Sequence, residues 1–433
     1  MINKIYSFLK SFRYIKLEDD FKNIIFGPEA KLYLKYFKKN YYYIEPTKET
    51  IINLKLILPC LFNFFLYLIK KPKLTIKYLK ISPRLFFIIS LIKIKKIKKT
   101  ISLVDYNEWP NVIKKFLGNE IYSIGVQTSL RAHPLNRVLL AKDFNNYYYW
   151  NEFKDSEKKK LNSTKIYPLG ALKSCLVVND KNLWNKVNLL PESSGGDKKK
   201  NLVLISTMHE TYIGFFEKFL SNKSEADYDK IILDLENKCL NNKLFGKIKF
   251  SNEKEKVPRR MFYFQPIEFF KMCIFIKRYI KEEGVNLSII ERNKIGTRSY
   301  EFEKKFFQNF FGKDLFTNLE VFEKIEYIVN NRNHVFLTNI SSMGKEALAL
   351  NRKSFFFSTL LHFYNPDLFE KNSNFFSIND KYREFKKSLT QLFDLTGEKF
   401  SKNKMDLKSI LPSCSITKKN FKDFLLATDL ELN

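Results

Sequence analysis

Apolar positions along this chain fall into two alternating patterns. Short apolar runs, NIIFG at 23–27, YYYIE at 41–45, TISLVDY at 100–106, IYSIGVQ at 121–127 and NNYYYW at 145–150, are separated by longer stretches with helical spacing. Runs rich in β-branched and aromatic residues, with no polar alternation, are what a strand buried on both faces requires. Strands alternating with helices therefore predict a parallel sheet with helical crossovers. KIYPLGAL, 165–172, closes the series, with Pro168 and Gly170 marking a turn at its end.

After NLLPESSGGDKKKN, 188–201, which has the small-residue and lysine composition of a linker, the pattern restarts. LVLIST reads as a strand, ETYIGFFEKFLS and EFFKMCIFIKRYIKEEG as helices, NLSIIER (286–292) as a strand and RSYEFEKKFFQNFFG as a helix. LEVFEK then reads as a strand, and HVFLTN (334–339) as another. DKYREFKKSLTQLFDL and ITKKNFKDFLLATDL supply charged helices at the end. The fold class predicted is α/β, with two Rossmann-like doubly wound domains facing a cleft. The first covers 1–190 and the second 201–380, with helices from 381–433 packing back on the first domain.

Ligands of such sheets bind beyond the carboxyl ends of the strands, so candidate site residues should follow strands. The candidates are Asp105 and Glu108, Gln127 to His133, Trp150 to Glu152, Gly170 to Lys173, Thr207 to Glu210, Glu291 to Asn293, and Asn339 to Glu346. The richest of these segments is HVFLTNISSMGKEALALNRKSFFFS, 334–358: a strand, a serine turn, a glycine-containing helix, and a second strand. Ser341 and Ser342 offer N-cap hydroxyls, Gly344 would let a ligand approach the backbone, and first-turn amides would face a phosphate. Glu346, one turn in, could take a pair of ribose hydroxyls. A serine turn before a helix is also an ordinary cap in any α/β protein. The YYYW run at 147–150 could stack a sugar or base at its exposed end, against the plainer reading of aromatics packed in the sheet.

Charge changes the picture next. The chain has 433 residues, and 76 Lys and Arg against 46 Asp and Glu give +30, a surface that attracts polyanions and anionic bilayers. Heavy Lys, Ile, Asn and Phe usage also fits an AT-rich genome, so part of the lysine excess is codon bias. No zinc-finger spacing, aromatic RNA-reading motif or glycine-arginine tract is present, which argues against nucleic acid as a partner. Five cysteines, none in a CxxC pair, imply a reducing compartment and no zinc site. The N-terminus has no sustained apolar core or small-residue cleavage site, so a cytoplasmic location is expected. Residues 51–100 carry apolar runs interrupted by Pro59, Asn63, Pro72 and Pro83, each shorter than the roughly 20 residues a spanning helix needs. An in-plane association with an anionic inner leaflet fits them, with Lys70, Lys71, Lys73 and the run Lys93 to Lys99 on the headgroups. Core helices with lysine edges are the competing reading.

Taken together, TISLVDYNEWPNVIKKFLGNEIYSIGVQTSLR, NNYYYWNEF, KIYPLGALKS and TNISSMGKEALALNRKSFFFS resemble, in order and spacing, a bacterial family of surface carbohydrate biosynthesis proteins. That family looks like the GT-B glycosyltransferases. Asp105 and Gln127 match the first members of its two N-terminal pairs. Tyr106 and Thr128 stand where asparagine and glycine are usual. The resemblance implies an acceptor-side first domain and a nucleotide-sugar-binding second domain. It implies transfer of a sugar to a lipopolysaccharide or capsule precursor, lipid-linked or polysaccharide, with no metal and no cofactor beyond the donor substrate.

Such a transfer needs a base for the acceptor hydroxyl and positive charge or amide dipoles for the departing diphosphate. Asp105 is the first candidate base, His133 the second and His209 the third. Arg292 is the preferred phosphate clamp, because a guanidinium meets phosphate oxygens bidentately, with Lys173 and the amides after Ser341 beside it. A 2-epimerase of the same fold and a catalytically inactive scaffold are the rivals.

Overall fold

The computed structural model describes residues 12–14, 21–27, 30–45, 50–81, 84–103, 109–127, 141, 143–150, 153, 155–161, 163–192, 199–208, 230, 253–312, 314–339, 341–357, 375–377, 381–407 and 417–433. The chain divides into two compact units. The first comprises Met1–Leu176 with Cys414–Asn433, and the second Val177–Ser413.

In the first unit, β2 (Asn23–Phe26), β3 (Tyr41–Ile44), β5 (Lys99–Ser102), β6 (Tyr122–Val126), β7 (Asn146–Tyr149) and β8 (Lys165–Pro168) form one sheet in the order β3-β2-β5-β6-β7-β8. Every pairing in it is parallel, for example Asn23 with Lys99 and Phe26 with Ser102. A parallel pair formed by β1 (Phe12–Tyr14) and β4 (Thr50–Ile52) stands apart. The helices of this unit are α1 (Lys31–Leu34), α2 (Leu54–Lys70), α3 (Pro72–Ile81), α4 (Leu85–Ile94), α5 (Trp109–Leu117) and α6 (Asp155–Lys158), with α7 (Leu172–Val178) at the boundary. The core joins Ile24, Phe26, Ile44, Leu56, Phe86, Ile89 and Phe116. Tyr147, Tyr148 and Trp150 are buried in the sheet, as the plainer reading of the aromatic run has it.

The second unit repeats the wiring. Its sheet runs β10 (Asn286–Ile290), β9 (Asn201–Ile205), β11 (Val335–Thr338), β12 (Lys353–Phe357) and β13 (Phe376–Ser377), all parallel. Counted in chain order, this is 2-1-3-4-5, and the first unit is 2-1-3-4-5-6. Both are therefore doubly wound, as predicted, with a switch point between the first and third strands. Its helices are α8 (Lys181–Asn188), α9 (Glu253–Glu283), α10 (Arg298–Phe311), α11 (Val321–Asn330), α12 (Ser342–Ala349), α13 (Tyr382–Asp394) and α14 (Gly397–Leu407). Phenylalanines dominate its core, with Phe269, Phe306, Phe307, Phe355, Phe385 and Phe393 buried together.

The structure differs from the sequence pattern at four places. LEVFEK belongs to a helix, because Glu320 and Glu323 close a capping box and start α11 where a strand was expected. Pro59 does not interrupt its run but lies inside α2, whose N-terminus is capped by Asn53. The boundary falls at 176/177 rather than near 190. There α8 is held in the second unit by Arg352, which donates to the carbonyls of Lys186 and Leu189. Of the helices in 381–433, only α15 (Lys418–Thr428) joins the first unit, through Asn23 to the Thr428 carbonyl, Lys99 to Asp429, and Tyr148 against Phe424. Helices α13 and α14 stay with the second, where Phe385 and Phe400 are in its core. The predicted helix ETYIGFFEKFLS lies outside the described residues.

Candidate functional site

The switch point of the second unit lies between β9 and β11, and the residues that leave those strands meet there. The Thr207 hydroxyl donates to Asn339 Oδ1, tying the two strand ends together. On the neighbouring strand, Arg292 follows β10 and donates from Nη1 to the Thr207 carbonyl at 3.1 Å. Arg292, Thr207 and Asn339 therefore form one hydrogen-bonded row across the carboxyl ends of three adjacent strands.

Asn339 is fully buried, and its Nδ2 has no hydrogen-bond partner. A buried N–H group left unmade costs about 1–3 kcal/mol, and native proteins rarely leave one without a reason. Two residues further on, Ser341 has extended backbone and caps α12. Its hydroxyl accepts from the Met343 amide at 3.2 Å, and its own amide donates to Thr338 Oγ1 at 3.2 Å. The helix then presents the positive end of its dipole at this edge. Lys345 sits in the first turn, half-exposed, and the atoms packed around its ammonium pull its pKa down to about 8.

A buried carboxylate holds the β10 side of the row. Glu303 on α10 accepts from the backbone amides of Arg292 and Asn293, both at 3.0 Å, and from Asn293 Nδ2 at 2.9 Å. Burial raises its pKa despite these donors. The adjacent Glu291 is buried and paired with Lys324 at 3.3 Å, while the Leu319 amide donates to it. Both carboxylates thus hold the backbone around Arg292 through hydrogen bonds, while its side chain is exposed.

The structure brings together Arg292, Ser341 and Ser342 of the expected donor-site residues, at one sheet edge. Gly344 lies on the buried side of α12. A Cβ there would stand 2.6 Å from Thr338 Cγ2 and 3.1 Å from Phe356, so the glycine lets the helix pack onto β11 and β12. Its bare backbone thus meets the sheet, where a ligand was expected. Glu346 is fully buried on the same helix. Lys173, on α7, belongs to the first unit and is half-buried. Asp105, His133 and His209, together with Tyr106 and Thr128, lie outside the described residues. Gln127 is buried, and its Oε1 accepts from the Trp150 amide at 2.9 Å, linking the ends of β6 and β7. Among the described residues, no cluster of His, Cys, Asp and Glu is placed to hold a metal ion.

Reading strand ends covered Thr207, Asn339 and Lys345 but missed Glu303. Glu303 had a signal: it occupies the inward stripe of α10 with Tyr300, Phe306, Phe307 and Phe310, where an acid needs a specific partner.

No family model matches the chain, and no curated protein matches it. Solved structures do. A protein described as a UDP-N-acetylglucosamine 2-epimerase from Listeria monocytogenes superposes with TM-score 0.45 at 8% identity, over 94% of this chain and 95% of its own. The wall teichoic acid polymerase TagF gives 0.43 at 11% identity, over 95% and 88%. The UDP-GlcNAc 2-epimerase of Neisseria meningitidis, bound to UDP-GlcNAc, gives 0.39 at 11% identity, over 90% and 99%. The two-sheet α/β architecture rests on this chain's own strand pairings.

Proposed function

We propose that the second unit binds a nucleotide sugar at the carboxyl edge of β9, β10 and β11. We further propose that the chain is a GT-B-type glycosyltransferase, passing the sugar to a lipopolysaccharide or capsule precursor. The observation that carries this reading is the unpartnered Nδ2 of buried Asn339, at the switch point and two residues before Ser341, the N-cap of α12. An oxygen-rich ligand there would accept from that amide and meet the helix N-terminus in one place.

In the reaction, a base takes the proton of the acceptor hydroxyl, the hydroxyl oxygen bonds to the anomeric carbon, and the bond from that carbon to the diphosphate breaks. Negative charge then develops on the diphosphate, where the Arg292 guanidinium and the amides opening α12 would stabilise it. Asp105 is the proposed base, with His133 and His209 as the rivals, and Lys173 and Glu346 are assigned to the donor. A 2-epimerase would use the same donor contacts without an acceptor.

The test is a thermal-shift series with UDP, GDP, CMP and dTDP compounds and their sugars. A matching nucleotide at about a hundred times its Kd should stabilise the protein by about 2.7 kcal/mol. Arg292→Ala and Asn339→Ala should each weaken that ligand about tenfold or more, and Asp105→Asn should spare binding but abolish transfer. If no nucleotide or nucleotide sugar moves the melting temperature, the reading fails. If the matched donor is epimerised in the absence of acceptor, the epimerase replaces the transferase.

A further inference from the structure

Helix α2 is built the wrong way round for a soluble protein. Its inward stripe, Leu56, Cys60, Asn63 and Tyr67, recurs at helical spacing and carries the polar residue. Asn63 donates to Ser90 Oγ at 3.0 Å and accepts from Lys93 Nζ at 3.0 Å, and Thr75 closes the cluster by donating to the Tyr67 carbonyl. The opposite stripe is Leu54, Leu58, Leu61, Phe62, Phe65 and Ile69, apolar throughout. Its members are among the most exposed large apolar side chains of the described residues, with Leu58 at 77%, Phe62 at 67% and Ile69 at 81%. A helix whose outward stripe is the apolar one needs something to cover it, another protein surface or a lipid boundary. On α3, Ile76 and Leu79 extend the exposed apolar surface.

Charge selects the occupant. From Thr50 through Val104 the sequence has no Asp or Glu, while Lys and Arg recur throughout. A protein partner of mixed charge gives no reason for that one-sidedness, whereas an anionic bilayer attracts every cation and tolerates no acid beside an inserted face. The structure also sorts the lysines. Lys71 donates to the carbonyls of Lys115 and Phe116 at the end of α5, and Lys93 lies over the Tyr67 ring, so neither serves the headgroups as expected from sequence. Lys55, Lys70, Lys73 and Lys77 are exposed on α2 and α3. Seventeen residues make a helix about 25 Å long, short of the roughly 30 Å hydrocarbon core. Among the described residues no helix is long and apolar enough to cross a membrane.

We infer that α2 and α3 dock in the plane of an anionic lipid surface, with the Leu58, Phe62 and Phe65 face in the acyl boundary and Lys55, Lys70, Lys73 and Lys77 on lipid phosphates. The inference does not rest on the nucleotide-sugar reading.

The experiment is flotation of the full chain with phosphatidylcholine vesicles, with and without phosphatidylglycerol, across a salt series. The wild type should float with anionic vesicles only, and less as salt rises. Neutralising each of Lys70, Lys73 and Lys77 should cost about fivefold in partitioning, and Phe62→Glu/Phe65→Glu should cost about tenfold or more. Phe62→Ser/Phe65→Ser is the fold control: its melting temperature should match the wild type while its partitioning still falls. Three results would each overturn the inference: no flotation with anionic vesicles at low salt, flotation indifferent to both aromatic variants, or a dimer in sedimentation velocity that Phe62→Glu/Phe65→Glu breaks while vesicles are ignored.

Discussion

Helices α11 and α2 both flank a parallel sheet, and they solve opposite problems. In α11 the buried positions Phe322, Ile325, Ile328 and Val329 face the core beside Lys324, which is paired with Glu291, while Glu323, Glu326 and Asn330 face water. In α2 the buried stripe holds Asn63, hydrogen-bonded to Ser90 and Lys93, and the exposed stripe is purely apolar. Both show helical periodicity, so period alone cannot tell them apart. What separates them is the exposed stripe, which carries acids and an amide in α11 and only apolar side chains in α2. The second unit buries Lys324, Arg352 and Lys353 and satisfies them internally, whereas the first leaves an apolar stripe outward.

The largest expected effect tests the internal side of that contrast. Arg352 is completely buried and has no carboxylate partner in the hydrogen bonds it makes. Its guanidinium instead donates to Lys186 and Leu189 at the end of α8, to Ile328 and Val329 at the end of α11, and to Leu350 and Asn351 after α12. Three helix C-termini, each with exposed carbonyl dipoles, converge on one cation. Burial, with Arg332 nearby, lowers its pKa to about 10. Arg352→Met should destabilise the second unit by about 3–5 kcal/mol, because several carbonyls lose their donor at once. Chemical denaturation of this variant beside Phe62→Ser breaks the contrast if the exposed aromatic proves as costly as the buried arginine.

A smaller effect concerns α12. A Cβ on residue 344 would overlap Thr338 Cγ2, so Gly344→Ala should cost about 1–3 kcal/mol through overpacking. Thr338→Ser removes the clashing methyl but keeps the hydroxyl that accepts from the Ser341 amide, so the double substitution should recover most of the loss. A denaturation cycle on the four proteins measures this. If Gly344→Ala instead keeps its stability and loses nucleotide binding, the glycine serves the ligand as the sequence first suggested.

Most strands of the two large sheets were legible because buried parallel strands have a one-dimensional signature, a continuous apolar run, whereas the short β1, β4 and β13 were not read. The site was legible only as a set of strand ends. Nothing in the spacing of Thr207, Arg292 and Asn339 says that they share an edge, since the 2-1-3-4-5 order that makes β9 the neighbour of both β10 and β11 is a tertiary fact. The strand assigned to LEVFEK failed because Glu320 and Glu323 act as a reciprocal cap, a local signal that outweighed a short apolar alternation. The exposed stripe of α2 was hidden for a different reason. A sequence shows an apolar stripe and a stripe with Asn63 but not which one meets the core.

The smallest effect is in the pH dependence of the same buried interior. Lys353 is fully buried, its ammonium donates to the Phe393 carbonyl, and burial lowers its pKa from 10.5 to about 8. Asp394 pulls it back up to a lesser extent. A lysine with a depressed folded-state pKa binds fewer protons in the native protein than in the unfolded chain between those two values. Stability contributed by this group therefore rises as pH climbs from about 8 towards 10.5, and at neutral pH the buried charge is a cost. Lys345, also lowered to about 8, adds in the same direction. The gain should be on the order of 1 kcal/mol between pH 8 and pH 10. Above that range the buried tyrosines reverse it, since Tyr279, raised to about 12, holds its proton longer folded than unfolded. Lys353→Met, which keeps the aliphatic length, should flatten the rise, whereas Phe62→Ser, out on the exposed stripe of α2, should leave it unchanged. Urea unfolding across that pH interval reads both slopes, and equal slopes in wild type and Lys353→Met would mean that Lys353 titrates as it does in water.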